Sequence, residues 1–289
     1  MGPNSMKIDS HQHFWKYQSA RDTWITESMS ILKRDFLPEQ LKIDLDANGI
    51  DASIAVQADQ SENETLFLLD LARRDSRVVG VVGWVDLISP QIDQRLRFFS
   101  KFDKLCGFRH IAQAEPDDRF LVRSDLLAGI SRLREFGFTY DILIYPRQLP
   151  AAVELVSRFP EQRFVIDHIA KPEIKTHNDG SWSANIRTIA RNRNAYCKLS
   201  GLVTEADWHS WKPEDFQFYL DVVFEAFGPE RLMFGSDWPV CLLAASYGQV
   251  KRLIEDYVDR YCANEKGKIF GSNAIQFYSL KVAAHGPAD

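Results

Sequence analysis

Short apolar runs alternate with longer amphipathic runs along the whole chain, and this alternation constrains the fold most strongly. Several short runs are nearly continuous in branched aliphatic residues, as expected for parallel strands that helices cover on both faces. Eight such strands alternating with helices over 289 residues predict a closed (β/α)8 TIM barrel of the α/β class, in a single domain. The predicted strands are 7–13, 52–59, 78–87, 106–111, 139–145, 163–170, 195–202 and 232–238.

An open, doubly wound sheet could be built from the same elements. No G-x-G-x-x-G turn or P-loop follows the first predicted strand, which argues against that arrangement. The helices have recognisable ends: Pro38 opens one that Gly49 closes. Ser124 is expected to cap a helix over 125–136, which Gly137 ends.

Charge and hydropathy restrict the classes of partner. The formal net charge of −5 gives no reason to expect nucleic acid or an anionic membrane. No apolar run approaches the roughly 18 residues that span a bilayer. Residues 1–5 resemble a cloning scar, so the expected barrel covers 6–289, and the absence of a signal peptide before Met6 predicts a cytoplasmic protein. The sequence leaves a homodimer open.

The first predicted strand ends in two histidines. His11 and His13 are two residues apart, so their side chains leave the strand on the same side. In a (β/α)8 barrel, functional side chains lie at the carboxyl ends of the strands. Two imidazoles there could hold one ion or one substrate oxygen, although H-x-H by itself is a weak motif.

Two later strands also end in polar residues. His168 ends strand 6, and Phe164 and Ile166 on its face can fill the barrel below, so we expect His168 rather than Asp167 to face the barrel mouth. A buried histidine bonded to a backbone carbonyl is the alternative. Asp237 ends strand 8 just before Pro239, where a carboxylate can act as a general base or a metal ligand. Its alternative role is to cap the next helix.

A second group of residues lies near other strand ends and could contact a substrate. Arg109 and His110 alternate on strand 4, so one of them should face the substrate. Lys198 lies on strand 7, where an ion pair with a barrel acid is an equal alternative. Tryptophans could stack on a sugar ring, although packing is the alternative for each of them. The predicted substrate-binding residues are Arg109, His110, Gln57, Trp84, Trp15, Lys198 and Trp238.

The short sequence segments around these residues resemble those of a known family. They are Ser10-His11-Gln12-His13-Phe14-Trp15, Gly107-Phe108-Arg109-His110, Asp167-His168-Ile169-Ala170-Lys171-Pro172, Lys198-Leu199-Ser200-Gly201-Leu202 and Gly235-Ser236-Asp237-Trp238-Pro239. The chain resembles the sugar-lactonase branch of the amidohydrolase superfamily, which includes L-fuconolactonases and L-rhamnonolactonases. The resemblance runs from Lys7 to about Leu280. It implies a (β/α)8 barrel whose site contains His11, His13, His168 and Asp237.

The metal content that the resemblance implies is limited. Members that bind two ions supply a histidine from strand 5, and the fifth predicted strand, 139–145, contains none. A single divalent ion, with zinc as the first candidate, could bind to His11, His13 and Asp237, and His168 or water would complete the site. A lactone is an activated ester, so a reaction without a required cofactor is equally compatible with the sequence.

The expected reaction is hydrolysis of a sugar lactone. Asp237 would accept a proton from the attacking water, and His168, with His11 and His13 or an ion they hold, would stabilise the oxyanion. The alternatives are a metal-dependent decarboxylase and a hydrolase of a carboxylated, muconolactone-type substrate. The second would require at least two arginines at the mouth, and only Arg109 and Arg147 are available. A barrel that binds a sugar acid without turnover is the non-enzymatic alternative.

Overall fold

The computed structural model describes residues 6–282. The expectation that residues 1–5 are a cloning scar lies outside the described residues. Eight parallel strands form one sheet in the order of the chain. They are β1 (Ile8–Gln12), β2 (Ala52–Val56), β3 (Val78–Gly83), β4 (Leu105–His110), β5 (Thr139–Ile142), β6 (Phe164–Ile166), β7 (Ala195–Leu199) and β8 (Leu232–Phe234).

The last strand meets the first, which closes the barrel. Gln12 and Trp238 form a parallel bridge, the Asp237 amide donates to the His11 carbonyl at 2.8 Å, and the His13 amide donates to the Trp238 carbonyl at 2.7 Å. The predicted (β/α)8 barrel is confirmed. The observed strands are shorter than predicted at their carboxyl ends, because the chain there leaves the hydrogen-bonded ladder to form the polar rim.

Helices follow the strands around the barrel. They are α1 (Pro38–Asn48), α2 (Glu62–Arg74), α3 (Ile92–Phe99), α4 (Ser124–Leu133), α5 (Leu149–Arg158), α6 (Trp182–Ala190), α7 (Leu202–Glu205), α8 (Glu214–Phe227), α9 (Tyr247–Tyr261) and α10 (Asn273–Tyr278). Pro38 begins α1, and Gly49 follows it at φ 62°, as predicted. The predicted Ser124 cap is wrong: Ser124 is the first residue of α4, and no side chain caps that helix.

Apolar side chains from strands all around the barrel form one buried cluster in its interior. Ile8, Ile54, Val82, Val165 and Met233 belong to it. The same cluster includes Phe277 and Tyr278 of α10, so α10 packs against the amino-terminal end of the barrel. A layer of charged residues lies between this apolar cluster and the carboxyl ends of the strands.

Among residues 6–282, no helix combines the length and the apolar character needed to cross a bilayer.

Candidate active site

A cavity of about 290 Å³ opens at the carboxyl ends of the strands. Its floor is polar and its walls are largely apolar, an arrangement typical of sites for small ligands. The floor contains His13, Arg109, His168, Lys171 and Asp237, and the walls include Trp15, Trp24, Ile111, Leu143 and Val240.

His11, His13 and Asp237 form a tight cluster at this floor. The Nε2 atoms of the two histidines lie 3.2 Å apart, and Asp237 Oδ1 lies 3.3 Å from His13 Nε2 and 3.9 Å from His11 Nε2. His13 Nδ1 lies 2.7 Å from the Val56 carbonyl oxygen. A carbonyl only accepts, so Nδ1 carries the hydrogen of a neutral His13 ring, and Nε2 presents its lone pair to the cluster.

A break in the register of β1 brings His11 into the barrel. Ile8 belongs to the interior cluster although it is three residues from His11, and regular alternation would put the two on opposite faces. The pairing of β1 with β2 is irregular between Asp9 and Gln12, which restores His11 to the inside. Gly235 makes room for it, because a Cβ there would lie 2.6 Å from the His11 Cβ.

The chain after β6 forms one left-handed turn. Four successive non-glycine residues, from His168 to Lys171, have φ between 47° and 60°. Each costs about 1–2 kcal/mol relative to the right-handed form, and such strain is concentrated at functional sites. His168 lines the cavity at the barrel mouth, as predicted, and Asp167 does not. The reason differs from strand alternation: β6 ends at Ile166, and the turn lets Asp167 pair with Arg109 and Lys198 below the cavity.

The His168 ring is held by β7 and the residues after it. Its Nδ1 lies 2.9 Å from Ser200 Oγ, and the ring is 3 % exposed. Gly201 has φ 63°, and a Cβ at this position would lie 2.5 Å from His168 Nδ1. Glycine is therefore required at 201 by both the backbone conformation and the histidine.

Beneath the cluster, two cations and two anions form a buried network. Lys198 Nζ contacts Asp141 Oδ2 at 2.6 Å and Asp167 Oδ1 at 3.0 Å, and Arg109 Nη1 contacts Asp167 Oδ2 at 3.0 Å. Each of the four side chains is at most 3 % exposed. Tyr278 donates to Asp141 at 2.7 Å. Because the charges balance and are hydrogen-bonded, the network can be held in the barrel interior.

The surroundings of the cluster determine the charge states of its carboxylate and its imidazoles. Burial lowers the pKa of His168 to about 4, although Asp237 and Asp167 oppose the shift. Burial, together with the Lys198 charge, holds the pKa of His11 well below its usual value. Burial alone would raise the pKa of Asp237, but His168, His13 and His11 lower it overall. At neutral pH, Asp237 is therefore ionised beside uncharged His11 and His168.

The cluster fits one tetrahedral divalent ion. Zinc bonds of 2.0–2.2 Å to nitrogen and oxygen give neighbouring ligands about 3.4 Å apart in a tetrahedral site. The separations of 3.2, 3.3 and 3.9 Å among His11, His13 and Asp237 match this, and all three residues are buried. Arg109 Nη1 lies 3.3 Å from His11 Nε2. That nitrogen cannot accept this hydrogen bond and bind an ion at once, so ion binding requires the Arg109 contact to open.

The chain matches the amidohydrolase family over residues 8–280. It belongs to this family. It is 42% identical to an L-fucono-1,5-lactonase of Burkholderia multivorans, covering 96% of this chain and 97% of that one. It is 35% identical to an L-fucono-1,5-lactonase of Burkholderia ambifaria, covering 96% of each. A crystal structure of a B. multivorans amidohydrolase with bound zinc superimposes with a TM-score of 0.92 at 42% identity, covering 96% and 100% of the two chains.

Two predicted substrate contacts of this amidohydrolase lie below the cavity floor. Gln57 and Lys198 are fully buried. Gln57 binds Arg109 through its carbonyl and side-chain oxygens, and Lys198 belongs to the charged network. The expectation that they contact substrate hydroxyls is corrected, because protein partners take up their polar atoms. Lys198 forms the ion pair that was its alternative.

The remaining predicted contacts are divided between the cavity and its surroundings. Arg109 and Trp15 line the cavity. His110 and Trp84 do not: His110 lies 2.7 Å from Glu115 and 3.4 Å from the Trp84 indole nitrogen. Trp238 is 2 % exposed and packs edge-on against Phe14 and Phe36. These three residues do not line the cavity, and their predicted contact with substrate is corrected.

Trp24 and Lys171 are among the cavity residues that were not predicted from the sequence. Trp24 lies on the segment between β1 and α1, and its ring meets that of Trp15 edge-on at 5.8 Å between centroids. No periodicity marks this segment, so the sequence carried no signal for it. Lys171 lies in the segment 167–172 at the end of strand 6, and only the left-handed turn shows that it reaches the cavity.

Proposed function

We propose that the protein hydrolyses the ring ester of a neutral sugar lactone, with an L-fucono-1,5-lactone as the first substrate to test. The observation that carries the proposal is the ionised Asp237 beside neutral imidazoles at the floor of a cavity with aromatic walls. The two L-fucono-1,5-lactonases that match nearly the whole chain support the same class of substrate.

Asp237 is the proposed general base. Its carboxylate lies at the cavity floor, where it accepts a proton from a water molecule that attacks the lactone carbonyl. The low pKa keeps it ionised at neutral pH. A bound divalent ion would polarise the carbonyl oxygen as a Lewis acid, and His11, His13 and Asp237 are the residues that would hold it.

His168 is the proposed donor to the developing oxyanion. When the Ser200 hydroxyl donates to Nδ1, the hydrogen of the neutral ring is on Nε2. Nε2 faces the Asp237 carboxylate at 3.9 Å, so its hydrogen is available to a substrate oxygen placed between them. A preorganised hydrogen-bond donor aimed at a developing oxyanion is a large contributor to such catalysis.

The cavity walls support a neutral sugar. Trp24 presents a flat apolar surface that suits the C–H face of a sugar or its methyl group, and the buried Trp15 packs edge-on against it. The charge of Arg109 is already balanced by Asp167, and Lys171 lies 3.3 Å from Glu205. Neither cation is thus an unpaired clamp for a substrate carboxylate, which disfavours the carboxylated-lactone alternative.

The test is a comparison of kcat/KM across lactones by release of protons to a pH indicator. L-Fucono-1,5-lactone and L-rhamnonolactone should be hydrolysed faster than a muconolactone or a pyrone dicarboxylate, with and without added zinc. A kcat/KM for an acidic lactone that is tenfold or more above that of the sugar lactones would contradict the proposal. This ratio corresponds to about 1.4 kcal/mol of transition-state stabilisation. Tight binding of a sugar acid with no turnover of any lactone would show a binding protein instead.

A further inference from the structure

The left-handed turn after β6 places Lys171 beside His168. Its backbone closes with the Lys171 amide donating to the His168 carbonyl at 2.8 Å, the i to i+3 pattern of a 3₁₀ turn. Residues three apart in such a turn share one face. His168 and Lys171 both line the cavity, whereas Ile169 and Ala170 between them are fully buried in the core. The turn thus presents a pair of side chains to the substrate.

Lys171 is held at the cavity floor by groups from two other elements. Its Nζ lies 3.3 Å from Glu205 Oε1 of α7 and 5.6 Å from the centre of the Tyr145 ring, which follows β5. The side chains of Lys171 and Glu205 are 17% and 20% exposed. Burial would lower the pKa of Lys171, but Glu205, Asp237 and Tyr145 raise it overall. The ammonium is therefore kept in place and protonated.

The proposed hydrolysis needs a proton donor for the leaving ring oxygen. Opening the lactone turns the ring oxygen into an alkoxide, which is far more basic than an amine. Asp237 holds the proton that it takes from the attacking water and is the alternative donor, and His168 is already assigned to the oxyanion, so the variants of Lys171 described below distinguish Lys171 from Asp237. Arg109 does not lose its proton in proteins. Of the residues discussed on this cavity floor, Lys171 carries a dissociable proton on a flexible stem.

We propose that Lys171 is a catalytic acid that protonates the leaving ring oxygen. The inference rests on the proposed lactone hydrolysis. Water adds to the carbonyl carbon and gives one proton to Asp237. The bond from that carbon to the ring oxygen then breaks, and the ring oxygen takes a proton from Lys171 Nζ. The amine regains a proton from the new carboxylic acid, and Asp237 releases its own to solvent, which leaves a hydroxy carboxylate and one proton.

The first test compares Lys171→Met with Lys171→Arg on the most active lactone. Both should lower kcat by about 10²–10⁴-fold with a smaller change in KM, since general acid catalysis contributes on that scale. The arginine variant keeps the charge and the pairing with Glu205 but not a transferable proton. Wild-type kcat in the arginine variant, or a change in KM alone in both, would overturn the assignment and leave Lys171 as a binding residue.

The second test restores the amine in a folded protein. Lys171→Cys treated with 2-bromoethylamine carries a thioether analogue of lysine, and mass spectrometry of the peptide verifies it. The treated variant should recover at least tenfold in kcat, a small part of the 10²–10⁴-fold expected of the acid. Treated wild type controls for Cys262, which is partly exposed. No recovery after verified modification would overturn the inference, whereas a wild type inactive on every lactone would mean that the proposed function itself had failed.

Discussion

Asp237 shows how one side chain acquires its chemistry from its surroundings. Its φ of 57° turns the chain out of β8, and its amide donates to His11 across the closure of the barrel. The carboxylate consequently lies among three imidazoles rather than in the strand ladder. These neighbours lower its pKa below the ordinary value, although burial acts in the opposite direction.

Asp237→Asn should abolish most turnover without unfolding the barrel. An amide has the same shape but cannot take a proton from water, so kcat should fall by about 10²–10⁴-fold. Circular dichroism and the melting temperature check the fold. Asp103→Asn is the control, because Asp103 is 81% exposed and pairs with Lys281 away from the cavity. Activity of Asp237→Asn within about threefold of wild type, far short of a 10²–10⁴-fold loss, would eliminate Asp237 as the base.

At the scale of elements, the segments after the strands carry the walls of the cavity. The segment between β1 and α1 supplies both Trp15 and Trp24. Trp15 is 1% exposed and donates from its indole to the Arg34 carbonyl at 2.9 Å, so it is fixed. Trp24 is 41% exposed and can adapt to a substrate.

Trp24→Ala should weaken substrate binding more than chemistry. Loss of one partly exposed aromatic wall should raise KM by about threefold to tenfold, in line with the roughly 0.5–1.5 kcal/mol of a stacking contact, with little change in kcat. Steady-state kinetics on the preferred lactone measures both. Ile31→Ala on the same segment is the control, since Ile31 is 50% exposed and does not line the cavity. Equal kinetics for the two variants would remove Trp24 from the substrate site.

Helix α2 contains a buried acid that makes stability depend on pH. Burial raises the pKa of Glu64 to about 7 from 4.5, although the Ala58 amide donates to it. The folded state therefore binds more protons than the unfolded state between these values. The stabilisation by Glu64 is complete below pH 4.5 and is lost as the pH rises through about 7. Over this range the free energy of unfolding falls by roughly 3 kcal/mol, because each unit of pKa shift corresponds to about 1.36 kcal/mol.

Glu64→Gln should accordingly stabilise the protein at pH 8.5 and not at pH 4.5. The amide resembles the protonated acid and accepts the same hydrogen bond from Ala58. We expect the melting temperature to exceed that of wild type by several degrees at the higher pH only, because each kcal/mol of stability raises it by about 2–4 °C. Exposed Glu39→Gln provides the comparison, with a difference from wild type that does not change between the two pH values. A pH-independent difference for Glu64→Gln would refute the assignment.

At the scale of the whole molecule, the barrel brings distant segments of the chain to one ion-sized space. His11 and Asp237 are adjacent because β8 closes onto β1, and the network of Arg109, Asp167 and Lys198 supports them from below. β5 contributes Asp141 to that network, and residues 139–145 contain no histidine. Among the described residues, His11, Asp167 and His168 form a second possible set of ligands, but it shares His11 with the first set and its Asp167 is paired with Arg109 and Lys198.

The protein should bind at most one zinc ion per chain at this cluster. Elemental analysis after dialysis against zinc measures the ratio. A free zinc concentration 100-fold above Kd stabilises the folded state by about 2.7 kcal/mol, so the melting temperature should rise with zinc. His13→Ala should lose most of this rise, whereas His177→Ala, at the surface, should keep it. Two ions per chain would contradict the predicted site.

The sequence by itself determined the barrel, because strand-like and helix-like periodicities follow from local preferences and burial. It also located His11, His13, His168 and Asp237, since polar residues that end apolar strands stand out from their neighbours. The left-handed turn that presents Lys171 beside His168 was decided only in the folded chain, as was the burial of Gln57 and Lys198 under the floor. Side-chain direction at a strand end depends on where the ladder stops, and that depends on hydrogen bonds to strands far away in the sequence.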